Sequence, residues 1–169
     1  MSTFLSRIWR AAKLDILLYE EVEEDRQALG QAVGVILLSS LAAGIGATGQ
    51  IGTWGILSGM GSALAGWIIW AYVTYWIGAK VFPEPQTQAT PGEMLRVIGF
   101  ASSPGMIRIL GVIPGLTAGV FIAASAWSLV AMVIAVRQAL DYQSTWRAIG
   151  VCLIGWTIQA WIIILLFRI

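Results

Sequence analysis

Five long apolar runs separated by short polar stretches set the pattern of the chain, at residues 27–47, 56–78, 94–113, 116–136 and 148–167. Each matches the roughly 20 residues that a helix needs to cross a ~30 Å hydrocarbon core. The pattern predicts an all-α membrane protein: a five-transmembrane-helix bundle over 27–169, behind a cytosolic N-terminal segment, 1–26. The third run differs from the rest. It carries Arg96 and Arg108, and Ser102, Ser103, Pro104 and Gly105 interrupt it. Proline removes a backbone donor and its ring clashes with the preceding helical turn, so a kinked or broken third span is expected.

Ahead of the first run, residues 3–18 place Phe4, Leu5, Ile8, Trp9 and Ala12 on one helical face and step Arg7, Arg10 and Lys13 along its flank. This predicts an N-terminal amphipathic interfacial helix, with Arg7, Trp9, Arg10 and Lys13 at the membrane surface. Glu20, Glu21, Glu23, Glu24 and Asp25 follow. They either complement the positive end of the first span or form a cytosolic docking patch for a basic partner. A weak divalent-cation site is the remaining reading, and nothing in the spacing resembles an EF-hand loop.

The placement of Lys and Arg orients the bundle. Arg7, Arg10, Lys13 and Arg26 precede the first run, Lys80 and Arg96 flank the second connection, and Arg137 and Arg147 flank the fourth. With five spans all eight fall on one side. The opposite connections, 48–55 and around Pro114 and Gly115, carry no charge, and only Arg168 lies beyond the last run. The expectation is a cytosolic N-terminus, a C-terminus outside and no cleaved signal. Trp9, Trp54, Trp76 and Trp146 fall near the boundaries, whereas Trp67, Trp70, Trp127, Trp156 and Trp161 lie deeper and read as packing and lipid contact.

Composition removes function classes. Hydrophobic residues make up 58% of the 169 and charged residues only 11%, so lipid is the solvent; a net charge of +1 gives no field for nucleic acid. The chain has no histidine, no asparagine and one cysteine, Cys152, within an apolar run. No Asp, Glu or His interrupts the interior of a span, which argues against ion-coupled transport. Serine, aspartyl and zinc hydrolysis each lack a base or ligands there. We therefore expect no enzyme, no catalytic residue, no metal and no cofactor. Small residues recur four apart (Gly30 and Gly34, Gly55 and Gly59, Ser62 and Gly66, Gly115 and Gly119), as in close helix contacts within the bundle or between copies. Gly46, Gly49, Gly52 and Gly55 suggest a flexible outer connection.

Arg108 is the one cation deep in a run. Either its side chain snorkels outward, or it is a fixed charge for a phospholipid phosphate or another anion, helped by Ser102 and Ser103. Two readings of function follow. One is a membrane-organising or adaptor protein that binds lipids or other membrane proteins, with partners drawn from the bilayer, a bound phospholipid, another membrane protein or a second copy. The other is a channel or carrier for an anion, a lipid or a small neutral solute.

Gly99, Phe100, Ala101, Ser102, Ser103 and Pro104, after the lead-in from Pro91 to Arg96, resemble the Gly-Tyr-x-x-x-Pro signature of the Yip family, five-span membrane proteins that interact with Ypt and Rab GTPases. Bacterial relatives are similar further afield, at Leu18, Tyr19, Glu20, Glu21, Val22 and Glu23 and at Gly30, Gln31 and Ala32. The resemblance implies a Yip fold with a cytosolic N-terminus. Eukaryotic members carry an Asp-Leu-Tyr-Gly-Pro motif in a long cytosolic region; here Asp15, Ile16, Leu17, Leu18 and Tyr19 lack the Gly-Pro, and Phe100 replaces the usual Tyr. The departures imply a prokaryotic member without the GTPase-docking segment, in a bacterial inner membrane.

Overall fold

The computed structural model describes residues 3–47 and 53–167. Among these, the regular structure is entirely helical. Two short helices, α1 (Phe4–Ala12) and α2 (Ile16–Glu24), lead into α3 (Ala28–Gly46). Next come α4 (Thr53–Tyr75), which runs on into a π-helical turn (Trp76–Val81), and α5 (Pro91–Ala101). A 3-10 segment (Ser103–Val112), α6 (Thr117–Ala139) and α7 (Thr145–Phe167) complete the chain. Among the described residues, four stretches are long and apolar enough to cross a membrane: Ala28–Gly46, Trp54–Val81, Pro91–Val112 and Thr117–Ala139. The fifth apolar run forms α7, a helix of 23 residues. Gly49, Gly52 and Arg168, named above for the outer connection and the C-terminus, lie outside the described residues.

The third run breaks where its proline sits. A reciprocal cap starts α5: Thr90 Oγ1 accepts from the Glu93 amide at 3.3 Å and the Glu93 carboxylate accepts from the Thr90 amide at 2.8 Å, with Pro91 as the first helical residue. The helix stops at Ala101, and Ser103 to Val112 continue as a 3-10 helix of 10 residues. That is long for this tighter and less favourable geometry. Packing supports it: α3 lies along the segment on one side and α6 along the other. A rise of ~2.0 Å per 3-10 residue against ~1.5 Å per α-helical residue lengthens this span without added residues.

The core gathers where α3, α5 and α6 meet. Val35, Met94, Val97, Ile98, Phe100, Ala131, Ala135 and Val136 are buried there. At the crossing of α3 and α5 the backbones come close, because a Cβ on Gly99 would sit 2.6 Å from that of Ala32. Small residues permit such an approach between apolar helices. The Gly99 and Ala32 of the two family-like stretches are thus one contact.

The connections at the N-terminal end of the bundle are stitched together by polar groups. Tyr142 donates from its hydroxyl to the carbonyls of Gly78 (2.9 Å) and Phe82 (2.7 Å), satisfying oxygens freed by the π-helical turn. Thr87 Oγ1 donates to the Leu140 carbonyl at 2.8 Å, and the Glu84 carboxylate accepts from the Gln143 amide at 3.1 Å.

Candidate functional site

At the far end of α3, away from the N-terminal helices, the packing opens. Gly46 admits the 3-10 segment so closely that a Cβ there would overlap the Arg108 carbonyl. Beside this contact lies a cavity of about 660 Å³, walled by α3 (Ile36, Ser39, Ser40, Ala43) and α4 (Ile56, Gly59, Ser62, Ala63). Trp67, Trp70, Ile98, Met132 and Trp156 close its deeper end, while Ser102, Arg108 and Phe121 line the other. The volume falls within the range of small-molecule and lipid-chain sites.

The apolar end is rigid. Trp70 and Trp156 stack with ring centroids 5.8 Å apart. The Trp70 indole donates to Met132 Sδ at 3.2 Å and the Trp67 indole to the Leu95 carbonyl at 3.1 Å. Trp67, Trp70 and Trp156 converge on one wall, and the indole N–H groups of Trp67 and Trp70 are satisfied. By contrast Trp127 and Trp161 face outward, as do Trp9, Trp54, Trp76 and Trp146 near helix ends.

Arg108 supplies the charge at the other end. Its Nη2 donates to Ser125 Oγ at 3.2 Å and its guanidinium lies 5.9 Å from the centre of the Phe121 ring. It belongs to none of the ion pairs among the described residues. Ser102 shares the cavity wall but spends its hydroxyl on the Ile98 carbonyl at 3.4 Å. Ser103 is elsewhere: it is buried, is absent from the cavity wall, and its Oγ has no partner among the described residues. The structure thus places Ser102 on the same wall as Arg108, while the 3-10 geometry after Ser102 carries Ser103 away from it. Ser39, buried yet lining the cavity, stands near Arg108 in its place. It sits about 70 residues away in sequence, and no motif marks it.

Nor do the small residues all serve helix contacts. Gly59 lines the cavity and a Cβ on it would meet nothing within 4 Å, as is also true of Gly119 and Gly30. Gly34 does make a contact, against the Phe4 ring.

The N-terminal segment also departs from expectation. Helix 3–18 is not continuous: Lys13 and Leu14 turn the chain, Leu14 in the left-handed region at φ 63°, and Asp15 caps α2 by accepting from the Leu17 amide at 3.1 Å. Arg7 faces inward, 7% exposed, and pairs with Glu21 (2.9 Å) and Asp25 (2.8 Å) while donating to Gln31 at 3.0 Å. Arg10 binds Asp15 at 2.7 Å as well as Glu21. Arg7 and Arg10 thus meet carboxylates instead of lipid phosphates, because α2 folds back against α1. Lys13 stays outside over the Trp9 ring at 5.1 Å, and Leu5, Trp9 and Leu17 present an apolar outer face.

The five acidic residues accordingly split. Glu21 and Asp25 hold Arg7, whose guanidinium keeps the Asp25 carboxyl below its usual range. Glu20 accepts from Gln138 at 3.1 Å and Glu24 is exposed. Burial, reinforced by Asp141 and Glu93, pushes Glu23 up to about 7. Arg96 lies beneath, buried, donating to the carbonyls of Val22 (2.9 Å) and Glu23 at the end of α2. Among the described residues, no group of three His, Cys, Asp or Glu side chains could hold a metal ion.

A family model described as the Yip1 domain matches residues 18–167. No significant match is found among curated proteins or among solved structures.

Proposed function

Because the chain belongs to the Yip1 domain family, we propose that it is a non-enzymatic membrane-organising protein that binds a lipid in the cavity between α3 and α4. The observation that carries this reading is a largely apolar cavity lining that includes one cation, Arg108, among the described residues. Inside the membrane an acyl chain gains by van der Waals packing against Ile36, Trp67, Trp70 and Ile98, since it has already left water. Small residues on α4, Gly59 and Ser62, leave that room unfilled.

In this reading α7 is the fifth span, and the eight Lys and Arg residues of the polar connections lie in the cytosol of a bacterium, with the cavity in the outer half of the inner membrane. The α1–α2 pair rests on the cytosolic surface through Leu5, Trp9 and Leu17, and its exposed carboxylates offer a contact for membrane-protein partners.

Native mass spectrometry of protein released gently from membranes tests the lipid. We expect a retained phospholipid with the wild type and its loss from Gly59→Leu, placed on the cavity wall where a Cβ would meet nothing within 4 Å; a bare wild-type protein would end this reading. The alternative, a channel or carrier for an anion, lipid or neutral solute, draws on the same residues. It requires passage beyond the Trp70–Trp156 stack, and flux in proteoliposomes that falls with Arg108→Ala would favour it.

A further inference from the structure

The Gly105 backbone separates two polar atoms that have no other task. A Cβ on Gly105 would collide with Ser39 Oγ and lie 2.7 Å from Arg108 Nη1. The two atoms are therefore no more than about 5 Å apart, a gap that one oxygen accepting two hydrogen bonds of ~2.8–3.0 Å can span. Ser39 is 6% exposed, lines the cavity and has no hydrogen-bond partner among the described residues. The opposite edge of the guanidinium is anchored, through Nη2 to Ser125 and by the Phe121 ring. Nη1 is thereby held near Ser39 Oγ on the cavity wall.

We infer that Ser39 and Arg108, side by side on the cavity wall, form a binding site for the phosphate of a phospholipid headgroup. The inference rests on the lipid reading above and adds the chemistry of the ligand. A phosphate oxygen accepts from both donors, and the charge of the diester offsets a guanidinium that has no anion partner among the described residues. The chains then extend toward Trp67 and Trp70, along the same cavity wall. A neutral lipid would leave Arg108 Nη1 and Ser39 Oγ unpaired in a low-dielectric site, which disfavours its binding. A side chain at Gly105 would displace the two donors, since its Cβ would meet Ser39 Oγ and lie 2.7 Å from Arg108 Nη1.

The test uses the full chain in phosphatidylcholine-free detergent micelles, titrated with phosphatidylglycerol, with diacylglycerol of the same chains, or with inorganic phosphate, and read by native mass spectrometry and thermal shift. We expect phosphatidylglycerol to bind at least tenfold more tightly than diacylglycerol. Arg108→Gln and Gly105→Ala should each remove most of that preference, Ser39→Ala should reduce it several-fold and Ser39→Thr should restore part of it, with diacylglycerol binding unchanged throughout. Equal binding of the two lipids to the wild type, or a preference that survives both Ser39→Ala and Arg108→Gln, would overturn the headgroup site while leaving lipid binding intact. Retention of neither lipid would remove the lipid reading itself. Stabilisation by inorganic phosphate alone, with nothing added by the chains, would make this a free-anion site and defeat the assignment to lipid.

Discussion

Glu23 shows how a single side chain can report on the join between the N-terminal helices and the bundle. Its carboxyl is pushed up to about 7 by burial first, then by Asp141 and Glu93, with Glu20 adding to the effect and Arg96 opposing it. A raised carboxylic acid favours the folded state while it is protonated, so this contribution is present at low pH and fades as pH rises from the usual carboxylate range through about 7. Partial exposure limits it to on the order of 1 kcal/mol. Thermal unfolding in detergent should therefore give a lower midpoint at pH 8 than at pH 5.5, with Glu23→Gln flattening the difference; an unchanged slope in the variant would assign the pH dependence to other groups. Asp25 acts in a separate window, because its lowered value removes stability only as pH falls below the ordinary Asp range.

Among the elements, the crossing of α3 and α5 depends on Gly99. A Leu there would force its side chain against the Ala32 backbone, and overpacking of this kind costs about 1–3 kcal/mol. Gly99→Leu should lower the unfolding midpoint in detergent, and pairing it with Ala32→Gly should recover part of the loss; a Gly99→Leu protein as stable as wild type would mean that the helices do not meet there. Sequence made the break in the third span legible, since Pro104 cannot donate and restricts the residue before it. It did not show that the chain after the break is 3-10, because ten residues in that geometry owe their stability to α3 and α6 on either side. The N-terminal helix was likewise half legible. Phe4–Ala12 is helical, yet only the return of α2 turns Arg7 and Arg10 onto Glu21, Asp25 and Asp15.

For the whole molecule, the reading with five spans makes a direct prediction about sidedness. In a Cys152→Ser background, Thr3→Cys should react with a membrane-impermeant maleimide only after the cells are opened, and Trp54→Cys should react in intact cells. The reverse pattern would invert the orientation, and labelling of both from one side would mean that the first apolar run does not cross. Trp54 is highly exposed and Thr3 is exposed, so neither cysteine would be hidden by packing.

Composition and periodicity by themselves determined the helical class, the membrane as solvent and the spacing of the apolar runs, because each follows from local residue types and their order along the chain, and the short stretch from Gly99 to Pro104 carried the resemblance to the Yip family. They also singled out Arg108, since a lone cation in an apolar run stands out without any partner. Only the tertiary structure decided what surrounds it. Ser39 replaces Ser103 beside the guanidinium, Gly59 borders a cavity instead of a helix contact, and three tryptophans from α4 and α7 form one wall. These are relations between residues tens of positions apart, set by helix crossings and by backbone geometry at Gly46, Gly99 and Gly105, and a pattern read along one chain does not contain the angles at which its helices meet.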